Sequence, residues 1–429
     1  MMNNAKRTLF SLFAQKLHYE VYVILVTTLV FAFLAYSSRY LTSLVPLYLD
    51  EKVYIQCGIK YINGLPPVLC NFEHPPLGKY VIGLFVSVNA GMLLLVLNYF
   101  LSLFILYKII YAITDNRETS LYAMLMIGFD TLFMFTYMHY LLDPIAFTFL
   151  LMAIYLCIIT VKNVKRKSPS KYKDTVFLSV FLGLALATKW QTAYTLLGIL
   201  IIIFWTYFKY FNLKLSFSKI IKLAIIFALV YSSTFMMDLT LGIMEPINHN
   251  IMALTYMSYR HGLSPPLAVI GVIKLLSRIE VWRLASFVIM YVTTTSVAPN
   301  TTSLILLNST SVEPHARVFM RVGVGVPSVL WPILFPVYLL VIKTRLERGR
   351  FRELDPLIII TSTSLLNLLN GPLDWYYVYV IPFLYIVAVY YVLSYQRGRY
   401  IAMALLLVQL IQCLLFFSGL IPYAEEVSI

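Results

Sequence analysis

The organisation of this chain follows from one polar stretch, which runs from Tyr48-Leu49-Asp50-Glu51 to Asn71-Phe72-Glu73-His74-Pro75-Pro76-Leu77-Gly78-Lys79-Tyr80. It separates two apolar runs, near 21–38 and 82–108, that are long enough to cross a bilayer as helices. An acidic pair opens the stretch, and a Glu-His pair closes it before two prolines that restrict the backbone. We therefore predict a stiff loop over 48–80 whose ends lie close together. It should present side chains at one membrane face and pack no core of its own.

The composition indicates a membrane protein. Of the 429 residues, 60% are hydrophobic and only 12% are charged, whereas about 25% of the residues of an average soluble domain are charged. The net charge is +14, but the cations cluster in short segments between the apolar runs, as the positive-inside rule describes. This distribution argues against a nucleic-acid partner. The first apolar run lacks a small-residue cleavage site, so we expect it to stay as an anchor.

The apolar runs predict an all-α polytopic membrane protein with about 11 transmembrane helices. The predicted spans are 21–38, 82–108, 119–137, 141–160, 175–190, 192–208, 221–237, 326–342, 356–370, 375–394 and 400–420. Lys6, Arg7 and Lys16 precede the first span, which predicts a cytoplasmic N-terminus. Three parts follow: an N-terminal module at 1–237 that contains the 48–80 loop, a second external loop at 238–325, and C-terminal helices at 326–429.

The second external loop contains an apolar segment, 265–285, that carries four charged residues. Each charge costs roughly 2.5 to 3.5 kcal/mol at the centre of a span, which favours an interfacial helix over a crossing. The residues that follow, 287–307, are rich in threonine and β-branched residues, as is typical of a strand. Asn300 and Asn308 begin tripeptides that fit glycosylation sequons and agree with an external location.

The polar stretch resembles the first external loop of the protein O-mannosyltransferases. The resemblance rests on Asp50-Glu51, followed by His74-Pro75-Pro76-Leu77-Gly78-Lys79 where the next helix begins. It continues in Leu141-Leu142-Asp143, in Ala187-Thr188-Lys189-Trp190, in Gly325-Val326-Pro327 with Trp331, and in Trp375-Tyr376-Tyr377 with Pro382-Phe383-Leu384. Two features depart from the family. Met138 stands where the family often has an arginine, and the large domain that eukaryotic members insert in the central loop is absent from this sequence.

The enzymes of that family are polytopic glycosyltransferases of the C-type (GT-C) fold that use a polyprenyl-phosphate sugar. The resemblance implies that this chain transfers a hexose, with mannose expected, from polyprenyl phosphate to Ser or Thr hydroxyls of exported proteins. It also implies a multi-pass protein of the cell membrane, surrounded by membrane lipids, with its active site facing outward. Two alternatives stay open. One is transfer of the sugar to a lipid or lipid-linked glycan; the other is a transporter or lipid flippase, although the spans show no obvious inverted repeat.

The candidate catalytic residues are Asp50 and Glu51. Sugar transfer from a lipid phosphate to a hydroxyl needs a base for the hydroxyl proton and a cation for the departing phosphate. We predict that Asp50 is the base and Glu51 its positioner; the alternative is a solvated acidic pair at a helix end. Lys189 is predicted to bind the phosphate, or else to extend toward the lipid headgroups beside Trp190.

Further candidates for substrate binding lie in turns at the same membrane face. Glu73 and His74 either orient the acceptor or sugar, or cap the helix that follows. Asp143 is either a site residue or a helix cap before Pro144. The other candidates are Lys79, His139, Trp190, Arg321, Trp375 and Tyr376, of which the last two also suit an interfacial aromatic belt.

No metal site is predicted. The six histidines lack the paired spacing of a zinc site, and the acids form no tight oxygen cage. A divalent cation held by Asp50 and Glu51 stays open, and no other cofactor is expected. Cys57 and Cys70 both fall in the 48–80 loop, where the compartment beyond the membrane permits oxidation. We predict a disulfide that shortens the tether between the two acidic ends of the loop; the alternative is two free thiols.

Overall fold

The computed structural model describes residues 2–41, 49–165, 172–211, 213–260, 319–320, 328, 330–370, 374–418 and 427–428. This part is almost entirely helical. Its helices are α1 Met2–Tyr36, α2 Leu49–Ile62, α3 Leu77–Ser87, α4 Gly91–Thr114, α5 Arg117–Gly128, α6 Thr131–Tyr137, α7 Leu142–Lys165, α8 Tyr172–Thr188, α9 Thr192–Tyr210, α10 Leu213–Ser233, α11 Glu245–Arg260, α12 Trp331–Arg348, α13 Asp355–Ser364, α14 Ile381–Leu393 and α15 Gly398–Phe417. Two short segments of the described part, β1 Phe319–Met320 and β2 Val427–Ser428, pair antiparallel. The predicted all-α architecture is confirmed.

Six helices of the described residues are long and apolar enough to cross a membrane, and the bent pair α5–α6 makes up to seven. A helix overlaps each predicted span, and the chain is a multi-pass membrane protein. The predicted number of about 11 crossings is not confirmed. The predicted interfacial helix at 265–285, the strand-like segment at 287–307 and both sequons lie outside the described residues.

The second predicted span, 82–108, begins too early. The chain is interrupted between Ser87, where α3 ends, and Gly91, where α4 begins. Asn89 adopts a left-handed backbone there, with φ of 57°, a conformation that asparagine tolerates better than most residues. The eleven residues of α3 therefore form a separate helix that precedes the span.

The 48–80 stretch is not the loop without a core that the sequence predicts. Its two helices, α2 and α3, pack against each other, and Gly58 and Gly83 allow the close approach: a Cβ on Gly58 would lie 2.2 Å from the carbonyl oxygen of Lys79. The buried face of α2 consists of Glu51, Tyr54, Cys57 and Tyr61. Their spacing of three and four residues puts them on one side of the helix. The prediction that this stretch packs no core was wrong, because α2 is amphipathic.

A buried carboxylate joins the bent pair α5–α6 to the C-terminal helices. The two helices meet at an angle of 68°, and Asp130 caps α6 by accepting a hydrogen bond of 2.9 Å from the N–H of Phe133. Its other oxygen accepts bonds from the Trp331 indole at 2.8 Å and the Tyr385 hydroxyl at 2.9 Å. The bend breaks helical backbone hydrogen bonds, and side chains bond the polar groups that this leaves without helical partners. After the bend, α6 leads into the turn 138–141, where the candidate site begins.

Candidate active site

The carboxylate of Glu51 is the centre of a buried ionic cluster at the start of α2. One oxygen lies 3.0 Å from the Arg39 guanidinium and accepts a 2.7 Å hydrogen bond from the N–H of Tyr140. The other lies 2.7 Å from Nδ1 of His139. Arg39 also donates to the carbonyl of Met138, and its guanidinium lies 4.9 Å from the centre of the Tyr140 ring. The cluster therefore joins the end of α1, the start of α2 and the turn that follows α6.

The charge states of this cluster follow from burial and pairing. Burial raises the pKa of Glu51, but the interactions with His139, Arg39 and the Tyr140 N–H together lower it to about 2. Burial lowers the pKa of His139 below its ordinary value. Glu51 is thus an ionised carboxylate whose oxygens are already occupied, which suits a positioning residue and not a proton acceptor. His139, predicted to contact substrate, instead lies in the interior beside Glu51.

A second buried ion pair joins α7 to the end of α8. The ammonium of Lys189 lies 2.6 Å from the Asp143 carboxylate, and both side chains are almost completely buried. Lys189 therefore does not extend toward the lipid headgroups, and Asp143 does more than cap a helix. The Tyr379 side chain also interacts with Asp143. Trp190 is half-buried and interacts with the Tyr231 hydroxyl.

The glycine of the His-Pro-Pro-Leu-Gly-Lys segment, Gly78, allows the first loop to approach this ion pair closely. A Cβ on Gly78 would lie 2.7 Å from side-chain carbons of Leu142 and Thr188. Those two residues immediately precede Asp143 and Lys189. The absence of a side chain on Gly78 thus lets α3 pack closely against the residues that precede the pair.

Asp50 is the carboxylate that remains accessible at this junction. It is half-buried and lies close enough to Asp143 for the two acids to interact electrostatically. Within the described ranges, no cation or hydrogen-bond donor contacts its carboxylate. Three acids therefore converge here in different surroundings: Glu51 and Asp143 are paired with cations, and Asp50 is half-buried without such a partner among the described residues.

The far end of the loop returns to the acidic pair, as predicted. The His74 ring lies 6.0 Å from the ring of Tyr54, one turn along α2 from Asp50. Cys57 and Cys70 form a disulfide with their Cα atoms 5.6 Å apart. The predicted bond between the two loop cysteines is confirmed.

Lys79, a predicted substrate ligand, instead stabilises the loop from inside. Its buried ammonium donates to the backbone carbonyl of Asn71, to the Asn71 side chain at 3.2 Å and to the carbonyl of His74 at 2.9 Å. Burial lowers the pKa of Lys79 to about 7, although Glu73 and Asp238 raise it. Glu73 thus acts on the lysine electrostatically, and its own predicted role toward a substrate stays a prediction.

Three residues that hold the site together were not predicted from the sequence. Arg39 is one of them. Asp238 accepts a 2.9 Å hydrogen bond from the N–H of Val68 and lies 2.6 Å from Nδ1 of His249, whose Nε2 donates to the carbonyl of Phe72 at 3.1 Å. The available signal was an ionisable residue at the end of a predicted span, which marks Arg39 and Asp238 as functional candidates by default.

Arg321 and the side chains of Trp375 and Tyr376 lie outside the described residues.

In the part of the chain that the structure describes, no three His, Cys, Asp or Glu side chains group closely enough to hold a metal ion. The divalent cation that the sequence left open for Asp50 and Glu51 does not fit this geometry, because Arg39, His139 and Tyr140 already occupy Glu51.

Comparison with known proteins supports the resemblance along part of the chain. Residues 91–240 match the family described as dolichyl-phosphate-mannose-protein mannosyltransferase. The match includes Asp143 and Lys189 but not the first loop. The comparison with curated proteins gives no match.

Solved structures extend the comparison to the whole fold. The Archaeoglobus fulgidus oligosaccharyltransferase in complex with Zn and sulfate aligns with a TM-score of 0.52 at 12% identity, over 91% of this chain and 53% of that one. This chain has the C-type glycosyltransferase fold. The same archaeal enzyme tethered to an acceptor peptide aligns with a TM-score of 0.50 at 12% identity, over 94% of this chain and 56% of that one. The GT-C chain described here thus spans about half the length of these structures, and the likeness concerns the fold alone.

Proposed function

We propose that this protein transfers a hexose, with mannose expected, from polyprenyl phosphate to Ser or Thr hydroxyls of proteins. One observation carries the proposal: Asp50 stays accessible beside the Asp143–Lys189 pair, while Glu51 directly after it is fully engaged. An available base next to a buried cation is the minimum that glycosyl transfer from a phosphate requires. The mannosyltransferase match over 91–240 supports the choice of reaction.

The reaction divides between Asp50 and Lys189. The Asp50 carboxylate takes the proton of the acceptor hydroxyl as that oxygen forms a bond to the anomeric carbon. The bond from the anomeric carbon to the phosphate oxygen breaks, and its electron pair stays on the departing polyprenyl phosphate. General-base assistance of this kind contributes about 100- to 10,000-fold.

Lys189 stabilises the departing phosphate. Its ammonium is the buried cation of this junction and lies 2.6 Å from the Asp143 carboxylate. Asp143 thereby fixes the direction in which the ammonium points, and it offsets the cost of keeping a cation away from water. A charged group in a poorly solvated site acts on the developing phosphate charge more strongly than it would in water.

The disulfide supports the proposed orientation. Bonds such as Cys57–Cys70 persist in compartments beyond the cytoplasmic membrane and are rare in the cytosol. In the proposed orientation, the loop that carries Asp50 faces outward and the N-terminus, one span earlier, faces the cytoplasm. Exported proteins are then the accessible hydroxyl acceptors, and transfer to a lipid-linked glycan is the alternative that the experiment must separate.

The test is a transfer assay with the full chain reconstituted in lipid. Polyprenyl phosphate carrying labelled mannose is supplied with a Ser/Thr-rich peptide, with the same peptide in which alanine replaces those residues, or with membrane lipid alone. The proposal predicts label on the hydroxyl peptide only, with the attachment site read by mass spectrometry. Label on lipid without peptide overturns the protein acceptor. Label that stays on the donor under all three conditions overturns the transfer itself.

A further inference from the structure

The helix α11 has one face packed onto the first loop. His249, Ala253 and Tyr256 follow each other at spacings of four and three residues, so they lie on one side of the helix. His249 and Ala253 are each only 1% exposed. His249 bonds the carbonyl of Phe72, and Tyr256 packs edge-to-face on the Phe72 ring with centroids 5.6 Å apart. This face therefore fixes α11 to the loop that carries the candidate site.

The opposite face of α11 is an exposed apolar stripe. Its members are Met244, just before the helix, and Ile247, Ile251 and Leu254, which are 57%, 52%, 57% and 54% exposed. They recur at three- and four-residue intervals, so they form one continuous surface. The side chain of Asn248, beside the stripe, is also exposed and bonds Glu245 at 3.1 Å. A contiguous exposed apolar patch with a polar border marks a surface that contacts something other than water.

The occupant of this surface follows from its continuity with α10. The Ser216–Ser233 part of α10 is a candidate span of which only 11% is buried inside the protein. Its outward side chains Phe217, Ile221, Ile225 and Leu229 recur every four residues and are each more than half exposed. A span with this surface faces lipid. The short segment between the two helices continues the apolar surface through Met236, Leu239 and Ile243.

We infer that α11 lies in the lipid–water interface, with the stripe Met244–Ile247–Ile251–Leu254 inserted among the lipids. Amphipathic helices of this kind bury their apolar face at the boundary between headgroups and acyl chains. Because the other face of α11 contacts Phe72, the helix keeps the first loop at the membrane surface. This inference concerns the lipid contact and does not depend on which reaction the site performs.

Spin-label accessibility tests the inference on the full chain in phospholipid vesicles. Cys157 and Cys413 are replaced by alanine, and Cys57–Cys70 stays bonded. Single cysteines are introduced as Ile247→Cys, Ile251→Cys and, as the matched control, Asn248→Cys. Each variant is labelled, and its relaxation is compared with oxygen, which concentrates in lipid, and with a polar nickel chelate, which stays in water. All three positions are exposed, so the labels disturb no packed contact.

The expected result is a preference for oxygen at 247 and 251 and a preference for the nickel chelate at 248. A preference for the nickel chelate at 247 and 251 would overturn the inference, because the stripe would then face water. Low accessibility to both reagents at 247 and 251 would also overturn it. The stripe would in that case be covered by protein, either a segment that follows Arg260 or a second copy of the chain.

Discussion

The three acids at the junction of α2, α3 and α7 differ in what surrounds them. Glu51 meets a guanidinium, an imidazole and a backbone N–H. Asp143 meets the Lys189 ammonium, and Asp50 remains half-buried beside it. Removing one partner of a buried ion pair leaves the other charge uncompensated, so substitutions of Glu51 and Asp50 should have different consequences. The first should affect folding and the second turnover.

Glu51→Gln should lower stability by about 3 to 5 kcal/mol, because Arg39 would keep a buried charge without its carboxylate. The folded pKa of Glu51 is about 2, below the ordinary 4.5. Its contribution is therefore complete above about pH 4.5 and is lost as the pH falls toward 2. Thermal unfolding in detergent should show a difference between wild type and variant that shrinks from pH 5 downwards. Glu118→Gln, which breaks an exposed pair with Arg399, should change little.

Lys189→Met should weaken use of the lipid-phosphate donor about 10- to 100-fold, the loss expected for a hydrogen bond to a charged group. The substitution also leaves the buried Asp143 carboxylate without its cation. The double variant Lys189→Met/Asp143→Asn removes this unpaired charge and is therefore the informative comparison. The double variant should recover the folded amount without recovering kcat/KM for the donor. A double variant with a wild-type kcat/KM would contradict the phosphate role, and the pair would then be purely structural.

At the scale of elements, the first loop is a small packed unit with three ties. The Cys57–Cys70 disulfide closes its middle. Lys79 ties the residues before α3 to each other. Asp238 and His249 tie the same region to the segment that leads into α11. An acidic pair on a mobile loop would be placed loosely, whereas these ties limit how far Asp50 can move from Lys189.

Removing the disulfide should loosen the loop and leave the spans folded. Closing a loop of about 15 residues stabilises a protein by roughly 3 kcal/mol in the chain-entropy model. The variant Cys57→Ser/Cys70→Ser should therefore unfold at a lower temperature, and reductant should shift the wild type in the same direction. Reductant should have no further effect on the variant. If reductant leaves the wild-type transition and turnover unchanged, the bond does not constrain the site.

At the scale of the whole molecule, the sequence was informative wherever a pattern is local. Apolar runs located the helices, and the loop cysteines predicted their bond. The contacts Arg39–Glu51, Asp143–Lys189 and Asp238–Val68 are not local: the partners are 12, 46 and 170 residues apart. Their pairing depends on how helices pack, for which single residues carry no signal. The helices within 49–87 were not predicted for a related reason. Pro75-Pro76 and the turn that follows α2 indicated a loop and concealed the amphipathic pattern of α2.

Topology provides a test of the whole arrangement. Val88, between α3 and α4, is 64% exposed, and Gln396, between α14 and α15, is also exposed. In intact cells an impermeant maleimide should label Val88→Cys and spare Gln396→Cys until the membrane is opened. Cys157 and Cys413 are buried and should add no background. Labelling of Gln396→Cys in intact cells would contradict the proposed topology, because the first loop and this turn must lie on opposite sides.

The proposed role of Asp50 as the base in sugar transfer is tested by the turnover of Asp50→Asn. The variant should fold in normal amount and bind labelled polyprenyl-phosphate mannose, yet it should transfer the sugar at least about 100-fold more slowly, as expected for the loss of general-base assistance. The matched control is Asp115→Asn, an exposed acid in the α4–α5 turn whose left-handed backbone suits asparagine; it should transfer at the wild-type rate. Transfer by Asp50→Asn at a rate near that of the control would contradict the account.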